Sequence, residues 1–261
     1  CRYSKGDGVT QDYGKAIAWL EKAAAQNHPD AEYNLGALYG EGQGVAQDYS
    51  QARAWYEKAA AQGDASAQHN LGVLYAEGQG VAQDYAQARA WFEKAAAQDD
   101  ANAQNSLGVL YDNGHGVAQD YAQAHTWYEK AAAKGNSHAQ YNLGYLYYEG
   151  KGVTQDYGQA RAWWEKAAAQ GDAGAQYNLG VLYAKGLGVA QDYGQARTWY
   201  EKAAAQGYAQ AQYNLGALYG NGQGVPKNNA QARLWWEKAA AQTDNKEAQQ
   251  AAQQALQKIP Q

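Results

Sequence analysis

The sequence predicts an all-α fold, a right-handed α-solenoid of stacked helical hairpins. One unit repeats every 36 residues. Trp19, Trp55, Trp91, Trp127, Trp163, Trp199 and Trp235 keep that spacing, and so do Val9, Val45, Val81, Val117, Val153, Val189 and Val225. Each unit carries two apolar stripes of helical period, separated by glycine-rich turns. No insertion breaks the register between Tyr3 and Trp236. Two short helices cannot bury both of their stripes alone, so neighbouring hairpins must stack to close a core. The handedness follows by analogy with other helical-hairpin arrays.

The first helix of a unit, helix A, is read in "DASAQHNLGVLYAEG", residues 64–78. Asp64 is an N-cap for the free amides of the first turn. One unit earlier His28 takes that place, followed by Pro29 at the first helical position, where proline is tolerated. Ala67, Leu71, Leu74 and Tyr75 stand at i, i+4, i+7 and i+8, which is one stripe. Gly78 and Gly80 end the helix, because glycine enters left-handed conformations without a steric penalty. Helix B follows in "QDYAQARAWFEKAAAQ". Asp84 caps it, Gln87 is placed to complete a capping box, and Ala88, Trp91, Phe92 and Ala95 form its stripe. Gly63, Gly135, Gly171 and Gly207 close the B helices. Asp99 stands in that position once, at some cost to the turn.

Small residues at the Gly36 and Ala52 positions predict close helix approach. Aromatic pairs such as Trp163–Trp164 are expected to fill the space between hairpins. The resulting organisation is a partial first repeat over 1–27, six repeats over 28–63, 64–99, 100–135, 136–171, 172–207 and 208–243, and a C-terminal capping helix over 244–261. That last stretch, "NKEAQQAAQQALQKIPQ" from Asn245 on, is helical in pattern but poor in large apolar residues, as a cap with a polar outer face should be.

The 261 residues carry a formal net charge of -5. That balance argues against nucleic acid, whose phosphates reward a basic stripe. No apolar run reaches the length of a membrane span. Cys1 is the only cysteine, so no intrachain disulfide can form. A first-position cysteine fits an acylated lipoprotein terminus or a truncated chain. Cys1-Arg2-Tyr3 is in register with Ala37-Leu38-Tyr39, the last turn of a helix A, so truncation is the expectation.

The recurring pattern is Ala-x-x-x-Leu-Gly-x-Leu-Tyr, then Gly-x-Gly-Val, Asp-x-x-x-Ala and Trp-x-x-Lys-Ala-Ala. One instance runs through Ala175, Leu179-Gly180, Leu182-Tyr183, Gly186-Leu187-Gly188-Val189, Asp192, Ala196, Trp199 and Lys202-Ala203-Ala204. These residues resemble the Sel1-like repeat family, relatives of the tetratricopeptide repeat, over nearly the whole chain. The resemblance implies an adaptor that assembles protein complexes, in bacteria often at the cell envelope or toward a host. It therefore favours a periplasmic, secreted or envelope-associated place over the cytoplasm. Some cysteine-rich bacterial members carry a disulfide in each repeat, which this chain cannot.

Catalytic constellations are scarce. His28, His69, His115, His125 and His138 form no His-Glu-x-x-His pair. There is no Gly-x-Ser-x-Gly elbow and no Ser-x-x-Lys pair. Gly150-Lys151-Gly152 lacks the Ser or Thr and the preceding strand of a phosphate loop, and reads as a turn. Asp99-Asp100 reads as a hairpin junction with Asp100 as N-cap rather than a metal site. Arg53-Glu57, Arg89-Glu93, Arg161-Glu165, Arg197-Glu201 and Arg233-Glu237 are i, i+4 pairs on a solvated face of helix B. The expectation is a protein without enzymatic activity, cofactor or resident metal.

Positions that vary between repeats point elsewhere. In "HAQYNLGYLYYEG", residues 138–150, Ala139, Leu143, Leu146 and Tyr147 match the invariant letters and group on one side of helix A. His138, Tyr141, Tyr145 and Tyr148 group within about 80° on the opposite side, at ~100° per residue. The Tyr145 position otherwise holds Ala37, Val73, Val109, Val181 and Ala217, and the Tyr148 position holds Gly40, Ala76, Asp112, Ala184 and Gly220. Resemblance to tetratricopeptide-like arrays implies that this face lines a concave groove. One reading makes the three tyrosines an aromatic hot spot flanked by Asn105, Val109, Tyr177 and Val181. The other makes them local packing or repeat drift. Asn34, Asn70, Asn142, Asn178 and Asn214 form a column beside this face, broken by Ser106. It either grips the backbone of an extended peptide or bonds adjacent helices together.

The leading expectation is a scaffold that holds a protein or peptide segment in the groove, with Glu41, Glu77 and Glu149 making its rim mildly acidic. The alternative is a module binding envelope glycan such as peptidoglycan fragments, with tyrosines stacked on sugars and asparagines on hydroxyls.

Overall fold

A computed structural model describes residues 11–243 and 245–258, in two compact units, residues 1–134 and 135–261. Cys1, Tyr3, Val9, Asp244 and residues 259–261 of the expected cap lie outside the described residues. Within the first unit run α1 (Tyr13–Ala24), α2 (Pro29–Glu41), α3 (Tyr49–Ala61), α4 (Ala65–Glu77), α5 (Tyr85–Ala96), α6 (Ala101–Asn113) and α7 (Tyr121–Ala133). Within the second run α8 (Ser137–Glu149), α9 (Tyr157–Ala169), α10 (Ala173–Lys185), α11 (Tyr193–Ala205), α12 (Ala209–Asn221), α13 (Asn229–Ala241) and α14 (Lys246–Lys258). Among the described residues every regular element is a helix. Each helix A packs most closely on the helix B that follows it, and within each unit each helix B then packs on the next helix A.

Caps set the boundaries. The Asp64 carboxylate accepts from the Ala67 amide at 2.7 Å, and Asp100 does the same for Ala103. Asp84 accepts from the Ala86 and Gln87 amides at 2.9 and 3.0 Å. The expected capping box is only half made. The Asp84 N–H donates to the Tyr75 carbonyl at 2.9 Å, so the end of the preceding helix takes the donor that Gln87 would have used. His28 provides no side-chain cap, and Pro29 opens α2. Asp99 sits at φ 66°, in the left-handed region that glycine holds in the equivalent turns.

The core lies between helix B and the next helix A. Ala88, Phe92, Ala95, Ala96, Ala103, Leu107 and Leu110 form one buried cluster, with Trp127 packed against it. Trp91 packs likewise on the cluster of Ala52 to Leu74, and Trp199 on that of Ala160 to Leu182. The outward side of each of these rings meets a lysine three residues later. Lys94 lies 3.8 Å from the Trp91 ring centre and Lys202 4.0 Å from that of Trp199. Glycine explains the close hairpin packing. A Cβ at Gly36 would fall 2.6 Å from the Tyr56 ring, and one at Gly108 or Gly180 would fall 2.5 Å from Tyr128 or Tyr200.

One feature of the core is polar. Gln68, Gln104, Gln140, Gln176 and Gln212 are all buried. Gln98 donates to the Gln68 side chain at 2.9 Å, Gln170 to Gln140 at 2.8 Å and Gln206 to Gln176 at 2.9 Å. Gln68, Gln176 and Gln212 in turn donate to the Ala60, Ala168 and Ala204 carbonyls, each at 3.3 Å. A buried amide needs such partners, and here they tie neighbouring hairpins together. Where Lys134 stands in the place of Gln98 or Gln170, its ammonium pairs instead with Asp99 at 3.0 Å. The two departures from the repeat pattern thus compensate each other. At the other end of the chain α14 buries Ala248 and Ala252 and packs on α13 and α12.

Candidate functional site: a tyrosine-lined groove in the second unit

α8 and α10 are the A helices of successive hairpins. Asn136 caps α8 by accepting from the Ala139 amide at 2.9 Å, and Asp172 caps α10 by accepting from Ala175 at 2.7 Å. So positioned, Tyr141, Tyr145 and Tyr148 of α8 meet Tyr177, Asn178, Val181 and Lys185 of α10 around a cavity of about 220 Å³, with Trp164 of α9 also lining it. The angular grouping expected from the sequence therefore brings the three α8 tyrosines into one site, together with Tyr177 and Val181.

Their environments differ from the expected exposed patch. Only Tyr145, 37% exposed, offers a large open face, and the Lys151 ammonium sits 4.9 Å from its ring centre and 3.5 Å from its hydroxyl. Tyr148 is half-buried. Its ring meets Tyr157 edge-on at 5.4 Å and lies 5.5 Å from Trp164. Tyr141 is also half-buried, with the Asn178 side chain near its hydroxyl. A Cβ at Gly174 would approach the Tyr141 ring to 2.9 Å, so this glycine leaves room for it. Burial raises the hydroxyl pKa of Tyr141, Tyr148 and Tyr177 above the ordinary tyrosine value. All three stay neutral donors near neutral pH.

The same pattern continues along α10. The Asn214 side chain lies near the Tyr177 hydroxyl, and the Tyr177 ring lies 5.2 Å from that of Tyr208. Tyr208 occupies the N-cap position of α12 and provides no side-chain cap, so ring packing there replaces capping. Burial pushes its hydroxyl pKa up to about 12. In the first unit Asn70 lies near the Tyr56 hydroxyl and meets His69 Nδ1 at 3.3 Å. Asn70, Asn178 and Asn214 thus face tyrosines of adjacent helices, whereas the Asn34 amide donates to the Asp30 carbonyl of its own helix.

Other expected site residues lie elsewhere. His138 is exposed on α8 and does not line the cavity, and Asn142 is half-buried beside it. Asn105 and Val109 belong to α6 of the first unit. Val109 lines a pocket there of about 270 Å³ with Val73, Tyr85, Phe92 and His115. Also in the first unit, His69 bridges Asn70 and Ser106, each at 3.3 Å, and its burial lowers the imidazole pKa. The rim of the tyrosine cavity is mixed in charge. Glu149 ends α8 and acts on Tyr148, while the lining carries Lys185 at the column position where Glu41 and Glu77 stand. The lysine is visible in that column of the sequence. The roles of Trp164 and Asn178 depend on which helices meet.

Among the described residues, no three His, Cys, Asp or Glu side chains group as a metal site, and no helix is long and apolar enough to cross a membrane. What the groove offers is aromatic contact area, hydroxyl tips and two ammonium groups.

The Sel1 repeat profile matches residues 1–28, 29–64, 65–100, 101–136, 137–172, 173–208 and 209–244. The chain belongs to the Sel1 repeat family. Sel1 repeat proteins are generally protein-interaction modules and non-enzymatic scaffolds. The chain is similar to a protective antigen of uropathogenic Escherichia coli displaying an SLR fold, at 42% identity and TM-score 0.79, over 98% of this chain and 54% of that one. It therefore spans about half the length of that protein. A Sel1 repeat protein from Oxalobacter formigenes is 37% identical with TM-score 0.76, over 85% of this chain and 89% of that one. An immunity protein from Pseudomonas aeruginosa is 26% identical with TM-score 0.55, over 81% of this chain and 80% of that one. No curated protein matches the sequence.

Proposed function

We propose that this Sel1 repeat chain is a non-enzymatic scaffold that binds a protein or peptide segment, with the tyrosine groove of the second unit as a contact site. The observation that carries the reading is the convergence of Tyr141, Tyr145, Tyr148 and Tyr177 on one cavity. Tyrosine supplies large contact area with a polar tip and loses little rotamer freedom on binding. The cavity, about 220 Å³, is smaller than the ~300–1,000 Å³ of sites that enclose a drug-sized ligand. It suits one side chain of a larger partner. Tyr148 is held by Tyr157 and Trp164, and the Tyr141 ring packs over Gly174, so the wall is preorganised and little ordering cost remains for the partner to meet.

The test uses Tyr145→Ala, because Tyr145 is the exposed member and its removal leaves the packed tyrosines in place. Parent and variant, matched by circular dichroism, are immobilised and exposed to bacterial lysate and to peptidoglycan fragments. A protein held by the parent and lost by the variant supports the reading. A saccharide held in its place favours the glycan alternative, and equal retention by both chains overturns the groove.

A further inference from the structure

We infer that the segment taken by the tyrosine groove is acidic: an apolar or aromatic side chain enters the cavity while flanking carboxylates meet Lys151 and Lys185. This rests on the groove reading above and adds the charge of the partner.

Three observations carry it. Lys185 lines the cavity at a column position held by Glu41, Glu77 and Glu149 in three other repeats, so the local sign is reversed there. Among the described residues it makes no ion pair, and its ammonium is free for a ligand. Lys151 stands where Gln43, Gln79 and Gln223 stand elsewhere, and its ammonium lies over the Tyr145 ring at 4.9 Å. The exposed tyrosine thus carries a cation on its face. The wider charge agrees. Residues 1–134 hold 10 Lys and Arg against 17 Asp and Glu, whereas residues 135–261 hold 11 against 9. The chain is acidic as a whole, yet the unit with the tyrosine groove has a slightly basic balance. The Asp172 carboxylate, which the Tyr141 hydroxyl also senses, is committed to capping α10. Two carboxylates remain near this rim, Glu149 acting on Tyr148 and Glu247 acting on Tyr177.

Charge placed this way sets partner choice and association rate more than raw affinity, and salt weakens it. The experiment selects from a random dodecamer peptide library on the immobilised full chain. The best peptide is then measured by fluorescence anisotropy on the parent, on Tyr145→Ala and on the double variant Lys151→Gln/Lys185→Glu. Both replacements are residues that other repeats carry at the same positions, so folding is preserved. The expected result is enrichment of Asp and Glu beside an aromatic or leucine. Affinity should fall about tenfold or more in the double variant, the scale of one lost charge-assisted contact. Enrichment of neutral or basic sequences overturns the inference, as does equal affinity for parent and double variant. If Tyr145→Ala still abolishes binding in those cases, the groove reading survives; indifference to all three changes removes both.

Discussion

Gly108→Ala tests whether the glycine under each aromatic ring is what lets the hairpins close. The added Cβ would fall 2.5 Å from Tyr128 Cδ1 and Cε1 and 3.1 Å from Cγ, where carbon atoms normally rest near 3.5–4.0 Å. The ring or the helix must therefore shift by about 1 Å. Tyr128 is only 1% exposed, and its hydroxyl donates to the Asp112 carboxylate at 3.1 Å. Overpacking of this kind costs about 1–3 kcal/mol. Straining a hydrogen bond to a charged acceptor adds about 1–2 kcal/mol. Replacing glycine by alanine inside a helix returns about 1 kcal/mol. The net expectation is a loss of about 1–4 kcal/mol, read from urea unfolding followed by circular dichroism. Gly14→Ala is the matched control. Its Cβ meets only Asp12 Oδ1 at 3.5 Å, and Ala86 and Ala122 already stand at that register position. It should stabilise by about 0.5–1 kcal/mol. A Gly108→Ala variant as stable as the parent would refute the close-packing argument.

Other expectations are as direct. Glu32 stands buried in the place of the ladder glutamines and accepts from Gln62 at 2.6 Å, but a glutamate side chain has no N–H to give as Gln68 gives to Ala60. Glu32→Gln should therefore raise the urea midpoint, by about 1 kcal/mol of stability. Burial lowers the His69 pKa, with the Asp100 charge acting against it. The unfolded chain binds that proton more readily, so the contribution is complete above pH ~6.5 and is lost as pH falls through the lowered folded value. His69→Tyr, the residue at positions 33, 141, 177 and 213, should lessen the loss of stability between neutral and mildly acidic pH; an unchanged pH profile would contradict this. Tyr145→Ala should alter stability by no more than ~0.5 kcal/mol, whereas Tyr148→Ala, which removes packing on Tyr157 and Trp164, should cost about 1–3 kcal/mol.

Much of this architecture is written in the letters that never change. The 36-residue period, the caps at Asp64 and Asp84 and the small residues at Gly36 and Ala52 each lead to the observed element because they act over one helix or one turn. The glutamine ladder is harder to read. A polar letter beside an apolar stripe looks solvated, and Gln68 is buried only because Ala60 and Gln98 reach it from neighbouring elements. The candidate site divides the same way. Helical rotation alone groups Tyr141, Tyr145 and Tyr148. It does not show that Tyr157 covers Tyr148 or that Asn178 comes close to the Tyr141 hydroxyl, since those neighbours come from later helices. The expected acidic rim is only part of the picture: Glu149 stands beside the cavity, but the repeat that completes it carries Lys185.

The glycine–ring contact also bears on how such a chain can change its length. Gly36, Gly108 and Gly180 receive a tyrosine, Gly72 a phenylalanine, and Gly144 and Gly216 a tryptophan, and in every case glycine and ring belong to the same hairpin. A hairpin that carries both halves of this contact, with any of three ring sizes, is a self-contained part. A duplicated or deleted unit of DNA would bring or remove the whole contact at once, and a groove built on one helix face could be copied, moved or discarded with it.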